Sequence, residues 1–273
     1  MKSKFDFGTI IGLLTGFTII LVSITWGGVG KLEWFFQPQS VFIVVGGVLC
    51  ATMVNYPLSA VMNLGRVFRN VLRQEDFNYV KTIDQIVVLA EKARKDGLLS
   101  LEADLEKIDS AFLRNGVELA ISERDSSRLR TFLQLDLNNI SVRHIGGQEI
   151  ILYMAAYSPA FGMLGTVIGL IVMMNSFNSS AETSSIDFNV ANQFSALLGG
   201  MGTSLITTFY GVLLANLIFL PIAGKLKRRS ESEVMLKSIV LEGIISIHGR
   251  EHPVLIKDKL MTFVALSDRK KET

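Results

Sequence analysis

The stretch from Ile150 to Gly224 holds two acidic residues, Glu182 and Asp187, and no Lys or Arg. The two acids lie close together and divide the stretch into charge-free runs, 150–181 and 188–224. Each run exceeds the roughly 20 residues that a helix needs to cross a bilayer. Within them lie Tyr157-Ser-Pro-Ala-Phe-Gly-Met-Leu-Gly-Thr-Val-Ile-Gly-Leu170 and Gly199-Gly-Met-Gly-Thr-Ser-Leu-Ile-Thr-Thr-Phe-Tyr-Gly211. Hydroxyls are plentiful there, and nothing in either run can hold a charge. The pairing predicts a polar lining whose ionisable group comes from another protein.

Two further charge-free runs, Phe7–Gly30 and Trp34–Gly65, raise the candidate spans to four, the second covering about Pro38 to Val54. The expected class is an all-α integral membrane protein. Of the residues, 49% are hydrophobic and 19% charged, against about 25% charged in an ordinary soluble domain. The charges gather in two blocks, Arg66–Glu149 and Lys225–Thr273, which hold 24 of the 27 Lys and Arg. Basic residues near span ends stay on the cytoplasmic side. Lys2 and Lys4 precede the first span, Arg66, Arg69 and Arg73 follow the second, and Lys225, Lys227, Arg228 and Arg229 follow the fourth. The outer connections carry only Lys31 with Glu33, and Glu182 with Asp187. Both termini and both blocks are therefore expected inside. The chain reads as spans one and two (1–65), a helical cytoplasmic region (66–149), spans three and four (150–224) and a helical cytoplasmic tail (225–273).

Basic residues before an apolar run can mark a signal peptide, but this run is long and no A-x-A-like site follows it, so a retained span is expected. Cys50 is the single cysteine, which excludes an internal disulfide and a thiolate metal site. The net charge of +2 gives no argument for nucleic acid, since topology explains the basic residues. H-E-x-x-H, G-x-S-x-G and phosphate-loop patterns are absent, and catalysis is not expected.

The cytoplasmic region reads as short amphipathic helices. Val80, Ile83, Val87, Ala90 and Ala93 recur at helical spacing, as do Leu101, Leu105, Ile108 and Phe112. Asp96-Gly97 is the expected stop of the first helix, and Ser100 the expected N-cap of the next. A third helix is expected over about 126–140. The tail should extend span four to about Ser246, break at His248-Gly249-Arg250-Glu251-His252-Pro253, and end in a short helix. His144, His248 and His252 are expected to be solvated.

In the spans, Gly8, Gly12 and Gly16 repeat at four-residue spacing, as do Gly165 and Gly169, and Gly211 with Ala215. Small residues at this spacing let helices approach closely where lipid supplies no hydrophobic drive. Contacts within one chain and contacts between subunits fit the pattern equally. Pro159 in span three bends or loosens a helix, although membrane helices also tolerate proline without consequence. Pro221 is a weaker instance. Thr166, Thr203, Ser204, Thr207 and Thr208 could replace part of an ion's hydration shell, or simply bond their own i−4 carbonyls. Arg94 and Lys95 closing one helix, and Glu102 opening the next, would suit the helix dipoles whatever their function.

Together these segments resemble the A subunits of the bacterial flagellar stator, the MotA and PomA family. The resemblance runs over nearly the whole chain. It is carried most specifically by Pro159-Ala-Phe-Gly-Met-Leu-Gly-Thr166-Val-Ile-Gly169-Leu, by Leu205-Ile-Thr-Thr-Phe-Tyr-Gly211 through Pro221-Ile-Ala, and by Ala93-Arg-Lys-Asp-Gly-Leu-Leu-Ser-Leu-Glu102. It implies that Arg94, Lys95 and Glu102 face the rotor protein FliG. It further implies that Pro159 and Pro221 couple ion passage to movement, and that Thr166, Thr207 and Thr208 line the ion path, to which the hydroxyl chemistry adds Thr203 as a candidate. The essential aspartate would belong to a B subunit, MotB or PomB, anchored to peptidoglycan, with five A subunits around two B helices in the inner membrane. No cofactor is implied beyond the transported ion, and the run of threonines favours sodium slightly over the proton. The rivals are an energiser of the TolQ or ExbB type, which has one span before its cytoplasmic region, and a non-conducting membrane scaffold.

Overall fold

The computed structural model describes residues 4–26, 32–71, 73–74, 77–182 and 190–265. Lys2, Lys31 and Asp187, and the side chains of Lys4, Arg66, Arg73 and Glu182, lie outside that description. Helix accounts for almost all of it, and four helical stretches are long and apolar enough to span a membrane: Phe7–Trp26, Leu32–Asn55, Ser126–Asn175 and Leu197–His248. The chain divides into two units, one formed by Met1–Gln74 with Gly146–Leu226, the other by Glu75–Ile145 with Lys227–Thr273.

In the first unit, α1 (Phe7–Trp26) buries none of its residues, so its apolar surface is left for lipid or another helix. Asp6 accepts from the Thr9 amide at 3.2 Å, satisfying a free donor at the helix start, and Lys225 donates to both Asp6 and Thr9. Span two runs through α2 (Pro38–Val41), a π-helical turn (Phe42–Gly46) and α3 (Gly47–Asn55). Pro57 ends it, and α4 (Leu58–Met62) and α5 (Leu64–Val71) come next. The strands are two-residue pieces, β1 (Lys4–Phe5) antiparallel to β2 (Arg73–Gln74). Val48, Val61, Ile151, Met154, Phe219 and Ile222 make the apolar core of this unit.

The second unit is built as a water-soluble domain is built. Asn78 caps α6 (Tyr79–Asp96), accepting from the Lys81 amide at 2.9 Å. Gly97, at φ 83 and ψ 165, ends it in a conformation open essentially to glycine alone. The next segment differs from the expected α-helix. Residues Leu98–Lys107 form a 3₁₀ helix, and Ser100 is not an N-cap, because its hydroxyl donates back to the Gly97 carbonyl at 2.7 Å. The next cap is Ser110, opening α7 (Ala111–Ser122). The helix expected over 126–140 does not stop there. It is the start of α8 (Ser126–Glu182), which carries no glycine cap or interior break and supplies residues to both units. Fully buried Ile83, Ile86, Leu101, Leu113, Leu129, Ile239, Ile244 and Ile256 form the core. α10 (Leu220–His248), introduced in sequence after α9 (Val190–Leu213) and a π-helical turn (Leu214–Phe219), ends in a break, and α11 (Pro253–Met261) begins with His252 as its cap. His252 is exposed, but His144 and His248 are half-buried: His144 Nδ1 lies 3.1 Å from Ser230 Oγ, and His248 Nε2 lies 2.9 Å from the Glu123 carbonyl.

Candidate ion path and its comparison with known proteins

Glycine decides how closely α8 approaches α9. A methyl group built on Gly165 would lie 2.6 Å from Thr207 Cβ, and one on Gly211 only 2.5 Å from the Ser158 carbonyl oxygen. Gly169 admits Ser204 in the same way, and Gly162 lies against the Thr207 backbone. Gly162 and Gly200 complete this seam although neither belongs to the four-residue glycine spacings. Span two joins it too, since Gly47 lies flat against the Phe161 ring. In α1, Gly16 meets the Leu217 side chain, Gly8 meets only Asp6, and Gly12 meets nothing within 4 Å.

The close approach brings oxygens together. Thr166 Oγ1 and Thr208 Oγ1 are 2.5 Å apart. Thr166 Oγ1 also lies 3.1 Å from the Gly162 carbonyl and 3.2 Å from the Ser204 carbonyl, and Thr208 Oγ1 lies 3.4 Å from Gly162 O. Ser204 Oγ donates toward the Thr166 and Gly200 carbonyls, at 3.1 and 3.0 Å. Two threonine hydrogens thus face several acceptors, so the hydroxyls can turn and present lone pairs to a cation. The cluster contains oxygen only, the ligand type that suits a hard cation. Among the described residues, no ionisable side chain joins it.

The other predicted residues are placed differently. Thr207 is fully buried in the seam and donates to the Ser204 carbonyl at 2.7 Å. Thr203 lies apart from the Thr166–Thr208 pair. It accepts from Gln37 Nε2 at 2.8 Å and donates to Gly199 O, while Gln37 Oε1 accepts from buried Ser40. Gln37 and Ser40 carry no signal in the charge-free pattern and become visible only in three dimensions. Pro159 sits within the unbroken α8, beside the Gly211 approach. Pro221 is exposed and comes just after the last i→i+5 bond of the π turn, Leu220 N–H to Ala215 O, where its missing N–H removes the next donor.

In the second unit, Arg94 and Lys95 end α6 and Glu102 lies in the 3₁₀ helix. All three are exposed, and none makes a side-chain hydrogen bond or ion pair among the described residues. Their neighbours are paired. Asp104 accepts from Lys92 at 2.5 Å and Lys107 at 2.8 Å, and the hydrogen bonds from Lys107 and Lys92 lower its pKa from 3.8 to about 2. Glu242 takes Arg130 at 2.5 and 3.1 Å, and that guanidinium holds its carboxyl below the usual range.

Residues 10–97 match the motility protein A N-terminal family, and residues 104–238 match the MotA/TolQ/ExbB proton channel family. Motility protein A of Borreliella burgdorferi is 35% identical over 264 residues, covering 97% of this chain and 96% of its own length. Chemotaxis protein PomA of Vibrio alginolyticus is 27% identical, with 95% of each chain covered. In the flagellar MotAB stator complex from Bacillus subtilis, one chain superposes with a TM-score of 0.84 at 26% identity, covering 97% of this chain and 99% of that one. A chain of C. jejuni MotAB shares the fold, with a TM-score of 0.83 at 22% identity over 96% of this chain and 97% of that one. By full-length identity and by fold, the chain belongs to the motility protein A family, the MotA and PomA subunits of the flagellar stator.

Proposed function

We propose that this chain is an ion-conducting, torque-generating A subunit of a flagellar stator, multi-pass in the bacterial inner membrane with both termini cytoplasmic. The observation that carries this reading is the Thr166–Thr208 pair, set among the Gly162 and Ser204 carbonyls in a seam without an ionisable group. A bilayer-depth path for a cation needs a carboxylate or an equivalent counter-charge. That group comes from the transmembrane helix of a MotB- or PomB-type B subunit, around whose dimer five copies of this chain assemble.

An ion arriving from outside neutralises the B-subunit aspartate beside Thr166 and Thr208. Neutralisation removes the cost of holding a bare charge in the membrane, so the interface between the two subunits can step. A potential of 100 mV supplies about 2.3 kcal/mol per charge. Torque therefore accumulates from many small steps, which a ring of identical subunits permits. Pro159 and Pro221 are where the helices yield. The exposed charges Arg94, Lys95 and Glu102 push on FliG. The ion is sodium ahead of the proton, because two hydroxyls and two carbonyls can replace water around a hard cation.

The test is to express the chain with its B subunit in a stator-deleted motile host and record swimming speed as external sodium varies at fixed pH. Speed that rises with sodium and collapses without it supports the whole reading. Speed indifferent to sodium but lost with a protonophore keeps the stator and reverses the ion. A complex that assembles with the B subunit but gives no motility favours an energiser of the TolQ or ExbB type, or a scaffold.

A further inference from the structure

We propose that Leu99 is an apolar anchor at the rotor-facing contact, seated in an apolar slot on the rotor protein between the charges that Arg94, Lys95 and Glu102 engage. The proposal rests on the rotor-facing reading of those three residues. Leu99 is 72% exposed, while Leu101, two residues on, is fully buried and Leu98 packs against the core. A lone exposed leucine ordinarily carries no meaning. This one is held out by a built turn.

Gly97, at φ 83, reverses the chain at the end of α6. The Ser100 amide and hydroxyl both donate to the Gly97 carbonyl, at 3.2 and 2.7 Å, and close the turn from within. Leu98 and Leu101 then anchor its inner side, and Leu99 has no inward direction left. The knob is therefore presented with its position already fixed, so little ordering is needed on binding.

Flanking it in sequence are Arg94, Lys95, Asp96 and Glu102, exposed charges with no side-chain partner among the described residues, whereas Lys92, Asp104 and Lys107 are satisfied by one another. An exposed apolar residue flanked by exposed charges has the composition of an interface centre, where desolvated anchors carry affinity and a charged rim sets orientation and rate. The occupant is thus a surface with charges of both signs around an apolar recess. Charges alone would give a contact that salt erodes, and Leu99 supplies the part that salt does not screen.

The test compares Leu99→Gln, Leu99→Met and Arg94→Glu, each assembled with the B subunit. The readings are the Kd for purified FliG on vesicles bearing the complex, at low and at high salt, together with stall torque, ion conductance and assembly mass. Leu99→Gln should weaken FliG binding about tenfold, the weakening persisting at high salt, with torque reduced and with conductance and mass unchanged. Leu99→Met should stay near the unmodified level. Unchanged binding and torque in Leu99→Gln, with Arg94→Glu disabled, would overturn the anchor and spare the rotor-facing reading. No effect from any variant would remove both. A change of assembly mass in Leu99→Gln would place Leu99 against a second copy of this chain and overturn the proposal.

Discussion

The seam between α8 and α9 and the core beneath α6 hold helices together in opposite ways. Beneath α6, Ile83, Ile86, Leu113 and Ile244 exclude water, caps close the helix ends, and Asp104 and Glu242 are ion-paired on the surface. In the seam, Gly162, Gly165, Gly169 and Gly211 let backbones touch, and the side chains between them are hydroxyls that bond carbonyls. Water drives the first arrangement. Lipid cannot drive the second, so contact area and hydrogen bonds must serve. Sensitivity is therefore unevenly placed: the soluble core should tolerate polar change at its rim, and the seam should tolerate neither bulk nor the loss of a single oxygen.

The strongest challenge to that contrast is to remove one hydroxyl while keeping its shape. Thr208→Val or Thr166→Val should insert and assemble normally, yet lower ion uptake by roughly tenfold or more and abolish swimming. Normal motility in both variants would reduce the cluster to packing.

Bulk comes next. Gly211→Ala drives a methyl into the Ser158 carbonyl, a backbone atom that cannot swing away, and should destabilise the complex by about 1–3 kcal/mol, read as a lower thermal midpoint in detergent. Gly12→Ala, with open space around it, should be neutral or slightly stabilising. Equal effects would mean that the two glycines sit in equivalent environments once the assembly forms.

Much of this architecture is open to sequence reasoning. The charge-free runs mark four spans because hydropathy in lipid is a composition signal, insensitive to detail. The glycine spacing finds Gly165 and Gly169, but not Gly162 or Gly47, whose importance depends on which helix arrives opposite. Thr203 and Thr207 read alike in sequence, and the fold turns Thr203 toward Gln37 while Thr207 is sealed in the seam. Ser100 resembles a cap because it precedes acidic residues, yet Gly97 redirects the chain into a 3₁₀ helix and the capping role moves to Ser110. The stop expected at 140 fails for a related reason: polarity changes along α8 while its backbone does not.

Backbone geometry offers a smaller test on the cytoplasmic side. Gly97→Ala meets no neighbour, so its effect isolates the conformation itself, at about 1–3 kcal/mol. It should shift Glu102 relative to Arg94 and lower torque while leaving conductance intact. Unaltered torque would show that the turn is not needed to register those charges.

The smallest effect is on pH. The Asp104 carboxyl titrates at about 2 in the fold against 3.8 for an unperturbed aspartate, so it adds stability above about pH 4 that is lost as pH falls toward 2. Asp104→Asn should remove that slope from acid unfolding, lowering stability slightly at neutrality and leaving it unchanged near pH 2. A persistent slope would assign it to the other ion-paired carboxylates, Glu242 and Asp6.

The central claim is that this chain supplies oxygens and no charge, so that it cannot conduct alone. Ion flux into vesicles measured with the chain alone, with its B subunit, and with the B subunit plus Thr208→Val tests it directly. Flux is expected only for the unmodified pair. Flux through the chain by itself would contradict it.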